Sequence, residues 1–93
     1  MANKNEVINY LQVNKDYLKN NLNARKIGVK NIIPEGTDSI DLIVRFEEDE
    51  QVYKNYLAFL NLVEDEFKTN VELISCEQLI AQLEEDNEEI IYV

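Results

Sequence analysis

The sequence predicts an α+β domain, a small mixed sheet of three to four strands with helices packed on it. Three observations predict it. Apolar residues recur at helical spacing in two long stretches, Glu6 to Leu22 and Glu50 to Lys68. Ile40, Leu42 and Val44 alternate with Asp41, Ile43 and Arg45, the period of a strand. Helical and strand-like segments then interleave, and a long helix between the second and third strands suits a crossover.

The first helical stretch rests on Val7, Ile8, Leu11, Leu18 and Leu22. Asn14 interrupts it and can cap a second helix beginning at Lys15, so one long helix and two short ones both remain open. Lys26-Ile27-Gly28-Val29 is a short strand candidate. A loop rich in breakers follows, with Asn31, Pro34, Gly36, Thr37 and Asp38. Ile40 to Phe46 is the strongest strand, and this pair of strands can run either way.

Asp49 is placed to cap the next helix, with Glu50 in its first turn at the positive end of the dipole. Its apolar stripe is Val52, Tyr56, Phe59, Leu60, Val63 and Phe67. Thr69-Asn70 ends it, and Val71 to Ser75 reads as a third strand. Ser75 can cap a last helix to about Glu85, with Gln78 at the capping-box position. Glu89-Ile90-Ile91-Tyr92-Val93 is β-prone, as an edge strand or a packed tail.

Ninety-three residues suffice for one domain with a single core, and no internal repeat is visible, so a single domain over 1–93 is expected. With 45% hydrophobic and 30% charged residues the balance is globular. Two Gly and one Pro argue against long flexible linkers. No apolar run approaches the ~20 residues of a membrane span, so no membrane association is expected. Met1 to Glu6 lacks the basic-then-apolar pattern of a signal peptide, which points to the cytoplasm. The lone Cys76 fits a reducing compartment. With no histidine in the chain to activate it, it reads as a buried or helix-capping thiol.

Nineteen acidic against nine basic residues give a net charge of −10. Such a surface repels phosphate backbones, so direct nucleic-acid binding is not expected. Lys15, Lys19, Arg25, Lys26 and Lys30 lean to the N-terminal third. Acids dominate later and end in the run Glu84 to Glu89, which opposes its helix dipole and reads as a solvated end or an acidic docking tail. The asymmetry suits a basic protein partner.

Asp38-Ser39-Ile40-Asp41-Leu42-Ile43-Val44-Arg45-Phe46 resembles the signature strand of the minimal nucleotidyltransferase family, in the polymerase-β-like superfamily. Further blocks follow in family order. Lys26 to Val29 looks like its first strand and Val52 to Leu57 like its following helix. Val71 to Ser75 looks like its third strand, and Glu77, Leu79 and Ile90 to Val93 match its closing pattern. The resemblance implies a nucleotidyltransferase-like fold. It also implies a site in which two aspartates, separated by one residue, hold metal ions with a third carboxylate.

This chain departs from that site. Asp41 holds the second position and Ser39 the first, while Glu72 takes the third. Asp38 is one residue out of phase and joins them only if a bulge at the strand entrance turns it inward. The metal candidates are therefore Asp41 and Glu72, with Asp38. In place of the family's Gly-Ser phosphate cradle stands the shorter Lys30-Asn31-Ile32-Ile33-Pro34-Glu35-Gly36-Thr37. Gly28 does not substitute, since it lies inside the strand.

Members of the family are commonly antitoxins paired with a HEPN-domain toxin, acting by AMP transfer or by occlusion. The implied reading is a catalytically degenerate protein that binds such a basic, RNA-cleaving partner and takes no cofactor. The alternative is a Mg²⁺-dependent enzyme that transfers AMP from ATP to a protein, with a rearranged site of Asp41, Glu72 and Asp38. A third reading is a homo-oligomer formed through a helix flank that exposes Tyr53, Leu57 and Leu62. Tyr56 is read as core, with Tyr10, Tyr17 and Tyr53 at stripe edges.

Overall fold

A computed structural model of the chain describes residues 4–32, 39–86 and 89–93. The fold is α+β, with four helices and a four-stranded mixed sheet among these residues. The first stretch is two helices, α1 (Lys4–Val13) and α2 (Lys15–Leu22). Asn14 separates them, but it does not cap α2 with its side chain as expected. Its backbone N–H and its side-chain amide both donate to the Tyr10 carbonyl, at 3.1 and 2.8 Å, and so close α1. Its own carbonyl accepts the Leu18 N–H and opens α2. Asn23 ends α2 in the left-handed region at φ 56, where asparagine is tolerated better than most residues.

β1 (Ala24–Ile32) extends beyond the predicted Lys26–Val29 at both ends. It pairs antiparallel with β2 (Ser39–Phe46), with irregularities between Ala24 and Lys26 and between Val29 and Asn31. The segment 33–38 between them lies outside the described residues, and with it Asp38. α3 (Val52–Phe67) carries the chain to β3 (Asn70–Ile74), which runs parallel to β2. α4 (Glu77–Glu85) then leads to β4 (Ile91–Tyr92), antiparallel to β1. The strand order is β3-β2-β1-β4, so the C-terminal segment is an edge strand.

Two helix starts differ from expectation. α3 begins at Val52 with Gln51 in the cap position, because Asp49 shapes the turn before it instead. The Asp49 carboxylate accepts the Gln51 N–H at 2.8 Å and the Asn23 side-chain amide at 3.0 Å, tying this turn to the end of α2. At α4 the cap position belongs to Cys76, not Ser75, and no side-chain hydrogen bond forms there. Of the two expected roles for Cys76, buried or helix-capping, the thiol is exposed rather than buried, and the residue stands at the cap position of α4 without a capping bond from its side chain.

Strand alternation divides the sheet into two unlike faces. Ile27 and Val29 of β1, Ile40, Leu42 and Val44 of β2, and Leu73 of β3 face α1, α2 and α3 in one apolar cluster. Val7, Leu11, Leu18, Phe59 and Val63 complete it from the helices, all fully buried. Tyr56 is half-buried against this cluster and Tyr10 stacks edge-on to Phe67 at 5.3 Å. Lys26, Gly28, Ser39, Asp41, Ile43, Arg45 and Glu72 belong to the other face by the same alternation. Ile43 and Ile80 are buried outside the main cluster and mark where α4 meets that face.

The outer edge of β3 is shielded by α3. The Val71 N–H donates to the Glu64 carboxylate and the Leu73 carbonyl accepts from the Tyr56 hydroxyl, both at 3.2 Å. An edge so occupied offers fewer free backbone groups to an incoming strand. Among the described residues no helix is long and apolar enough to cross a membrane.

Candidate functional site

The sheet aligns two of the predicted metal candidates. Asp41 and Glu72 are register partners on the parallel strands β2 and β3, so both project from the same face. Ser39 stands two residues earlier on that face, opposite Asn70. Asp41 is half-buried and Glu72 is exposed. The sequence placed each acid on an outward face but could not show that they lie side by side, which is a property of strand register.

This donor set is two carboxylates and a neutral hydroxyl. Two divalent ions that bridge a phosphate require a richer set of hard anionic oxygens, with the ions ~3.5–4 Å apart. Among the described residues no group of three or more acidic, histidine or cysteine side chains is arranged to hold a metal. The described residues alone fall short of the two-metal centre that the family resemblance implies, and the remaining candidate, Asp38, lies outside them.

A groove adjoins these acids and shares Glu72 with them. It is open, about 840 Å³ in volume, and lies beyond the C-terminal ends of β2 and β3. The first turns of α3 and α4 form its walls. Those helices depart to opposite faces of the sheet, and a crevice opens where neighbouring connections diverge in this way. Glu47 and Glu48 follow β2 into the groove, Glu72 enters from β3, and Glu77 enters from α4.

Arg25 and Arg45 are the cations of the lining. Each is occupied. Arg25 Nε lies 3.3 Å from Glu47, and Arg45 Nη2 donates to Glu84 at 3.3 Å. Arg45 Nε stands 3.1 Å from Glu77, within range of charge attraction but without hydrogen-bond alignment. Glu77, Ile80 and Glu84 share one stripe of α4, so a single helix face brings two acids to Arg45 around a buried isoleucine.

The same arginine anchors the C-terminus. The Tyr92 hydroxyl donates to Glu84, and Lys26 Nζ sits 4.3 Å over the Tyr92 ring. The Val93 N–H donates to the Ile27 carbonyl at 2.9 Å. Gly28 lies directly beneath, where a Cβ would come within 2.9 Å of Ile90 and 3.0 Å of the Tyr92 ring. Gly28 thus serves close packing of β4 on β1. Burial, then the bond to Glu84 and its charge, push the Tyr92 phenol up to about 12. The bond from Tyr92, and the charges of Arg45 and Lys26, hold the Glu84 carboxyl below its ordinary value.

The exposed apolar side chains also gather at the groove. Tyr53 is 71% exposed, Leu79 57% and Val52 37%, and all three line it. Leu57 is 38% exposed, but Leu62 packs against the core, so the expected Tyr53, Leu57 and Leu62 patch does not form as a unit. Sequence reasoning missed the groove and the Arg45 network. The spacing of Glu77 and Glu84 was the available signal, but not which face of the sheet α4 would cover. In comparison with known proteins, the chain matches no family model, no curated protein and no solved structure.

Proposed function

We propose that this chain acts by binding a protein partner with a basic surface, and that it does not transfer nucleotides. The observation that carries the reading is the depleted acid set on the sheet. Asp41 and Glu72 converge, but Ser39 brings a neutral hydroxyl to the position where a third carboxylate would be needed. The net charge of −10 favours a cationic partner by long-range attraction and disfavours a phosphate backbone. On the resemblance to minimal nucleotidyltransferases, the partner is a HEPN-type toxin, held by occlusion.

One observation favours a second reading, a Mg²⁺-dependent transferase that moves AMP from ATP to a protein. It is the side-by-side register of Asp41 and Glu72. The two readings separate in a mixture of this protein with its candidate toxin, scored for complex formation and label transfer from ATP. Binding by occlusion gives a stoichiometric complex whose affinity ignores ATP and Mg²⁺, with no label on either protein. Label transfer that vanishes in Asp41→Asn establishes the enzyme instead.

A further inference from the structure

We infer that the groove between α3 and α4 is the docking site, and that it takes an extended basic segment of a protein partner anchored by one apolar side chain. The inference rests on the protein-binding reading above and assigns that binding to a place and a chemistry.

Charge decides the sign of the occupant. Of the acids in the lining, Glu47 is matched to Arg25 and Glu77 to Arg45. Glu48 and Glu72 make no ion pair among the described residues. Both cations are thereby neutralised and two carboxylates are left over, so an anionic ligand meets repulsion and a Lys- or Arg-bearing one meets attraction. The helix N-termini that border the groove do not reverse this, because Asp49 and Glu50 precede α3 and Glu77 stands in the first turn of α4.

Apolar exposure decides the second part. Tyr53, Leu79 and Val52 are three of the six large apolar side chains exposed among the described residues, and they face one groove. Exposed apolar surface concentrated in a concave, charge-rimmed site is the anatomy of a protein contact, with an aromatic residue as the usual anchor. Strand addition at the neighbouring β3 edge is opposed by Tyr56 and Glu64, which already occupy the Leu73 carbonyl and the Val71 N–H. Recognition in the groove therefore runs through side chains rather than through an added strand.

The test uses the full chain and a short lysine-rich peptide with one central phenylalanine, titrated by NMR at low salt. Its controls are the same peptide with alanine at the centre and one with glutamates for the lysines. The expected result is shifts confined to groove residues, with affinity reduced roughly tenfold by Tyr53→Ala and by the Glu48→Gln, Glu72→Gln pair. All three positions are exposed, so these variants keep the fold. Asp16→Asn on α2 is expected to change nothing. No binding of the peptide, or shifts scattered over the acidic surface and equally sensitive to Asp16→Asn, overturns the assignment. So does a concentration-dependent mass showing Tyr53 buried between two copies of this chain. A partner toxin that binds with full affinity to Tyr53→Ala and to the double Gln variant removes the groove while leaving the protein-binding reading intact. Failure of every candidate toxin to bind, with the peptide still bound in the groove, removes the toxin reading alone.

Discussion

The two faces of the sheet are held by different physics. On one, three helices bury a continuous apolar cluster built on Ile40, Leu42 and Val44, and almost nothing polar enters it. On the other, α4 is held by charged contacts from Arg45 to Glu77 and Glu84 beside the buried Ile43 and Ile80, and β4 by pairing with β1, close packing over Gly28 and the Tyr92–Glu84 hydrogen bond. Apolar burial is non-directional and insensitive to pH, whereas ion pairs in contact with water each contribute little and respond to it. The first face therefore sets global stability. The second sets the geometry of the groove, because α4 is one of its walls.

Breaking each face in turn measures the contrast. Phe59→Ala removes a fully buried ring from the apolar cluster and is expected to cost about 3–5 kcal/mol in denaturant unfolding. Ile80→Ala is expected to cost about 2 kcal/mol, the low end for such truncations, since a single helix over the sheet can settle into the space. Equal losses would show that the two faces are equally well packed. Gly28→Ala is expected to cost roughly 1–3 kcal/mol by overpacking, with β4 displaced. Hydrogen exchange should then lose protection at the Val93 amide, whose acceptor is the Ile27 carbonyl, before any core amide.

The smallest effect is the most specific. Tyr92→Phe removes the hydroxyl bond to Glu84 and is expected to fall below the Gly28→Ala loss. It also changes the pH profile. The Tyr92 phenol is raised from 10.0 to about 12, so its contribution is full below pH 10 and lost as pH rises through about 12. The Glu84 carboxyl is lowered, so its contribution is present above the ordinary carboxylate value of 4.5 and lost as pH falls below it. Wild type should loosen at β4 in both directions, and Tyr92→Phe should lose the alkaline limb while the Arg45 and Lys26 charges preserve part of the acid one. Amide shifts of Ile91 to Val93 across pH would report it.

The apolar face was legible in the sequence because period and burial coincide there. Ile40, Leu42 and Val44 announce a strand, and Phe59 and Val63 announce the helix that covers it. The second face was not legible, since its contacts join residues distant in the chain through long polar side chains. Nothing local marks Arg45 as the meeting point of Glu77 and Glu84, or Gly28 as the floor beneath Tyr92. Helix starts were misplaced by one or two residues because Asp49 and Ser75 are good caps that other contacts preempt or leave outside the helix. The candidate acids illustrate the same boundary. Alternation put Asp41 and Glu72 on outward positions, but only strand pairing made them neighbours.

The central claim, that the chain binds protein and has no working nucleotide site, is tested most directly by calorimetric titration of ATP with Mg²⁺ into the purified protein, with Asp41→Asn as control. The account predicts no saturable heat in either protein. A saturable heat present in the wild type and abolished by Asp41→Asn would contradict it.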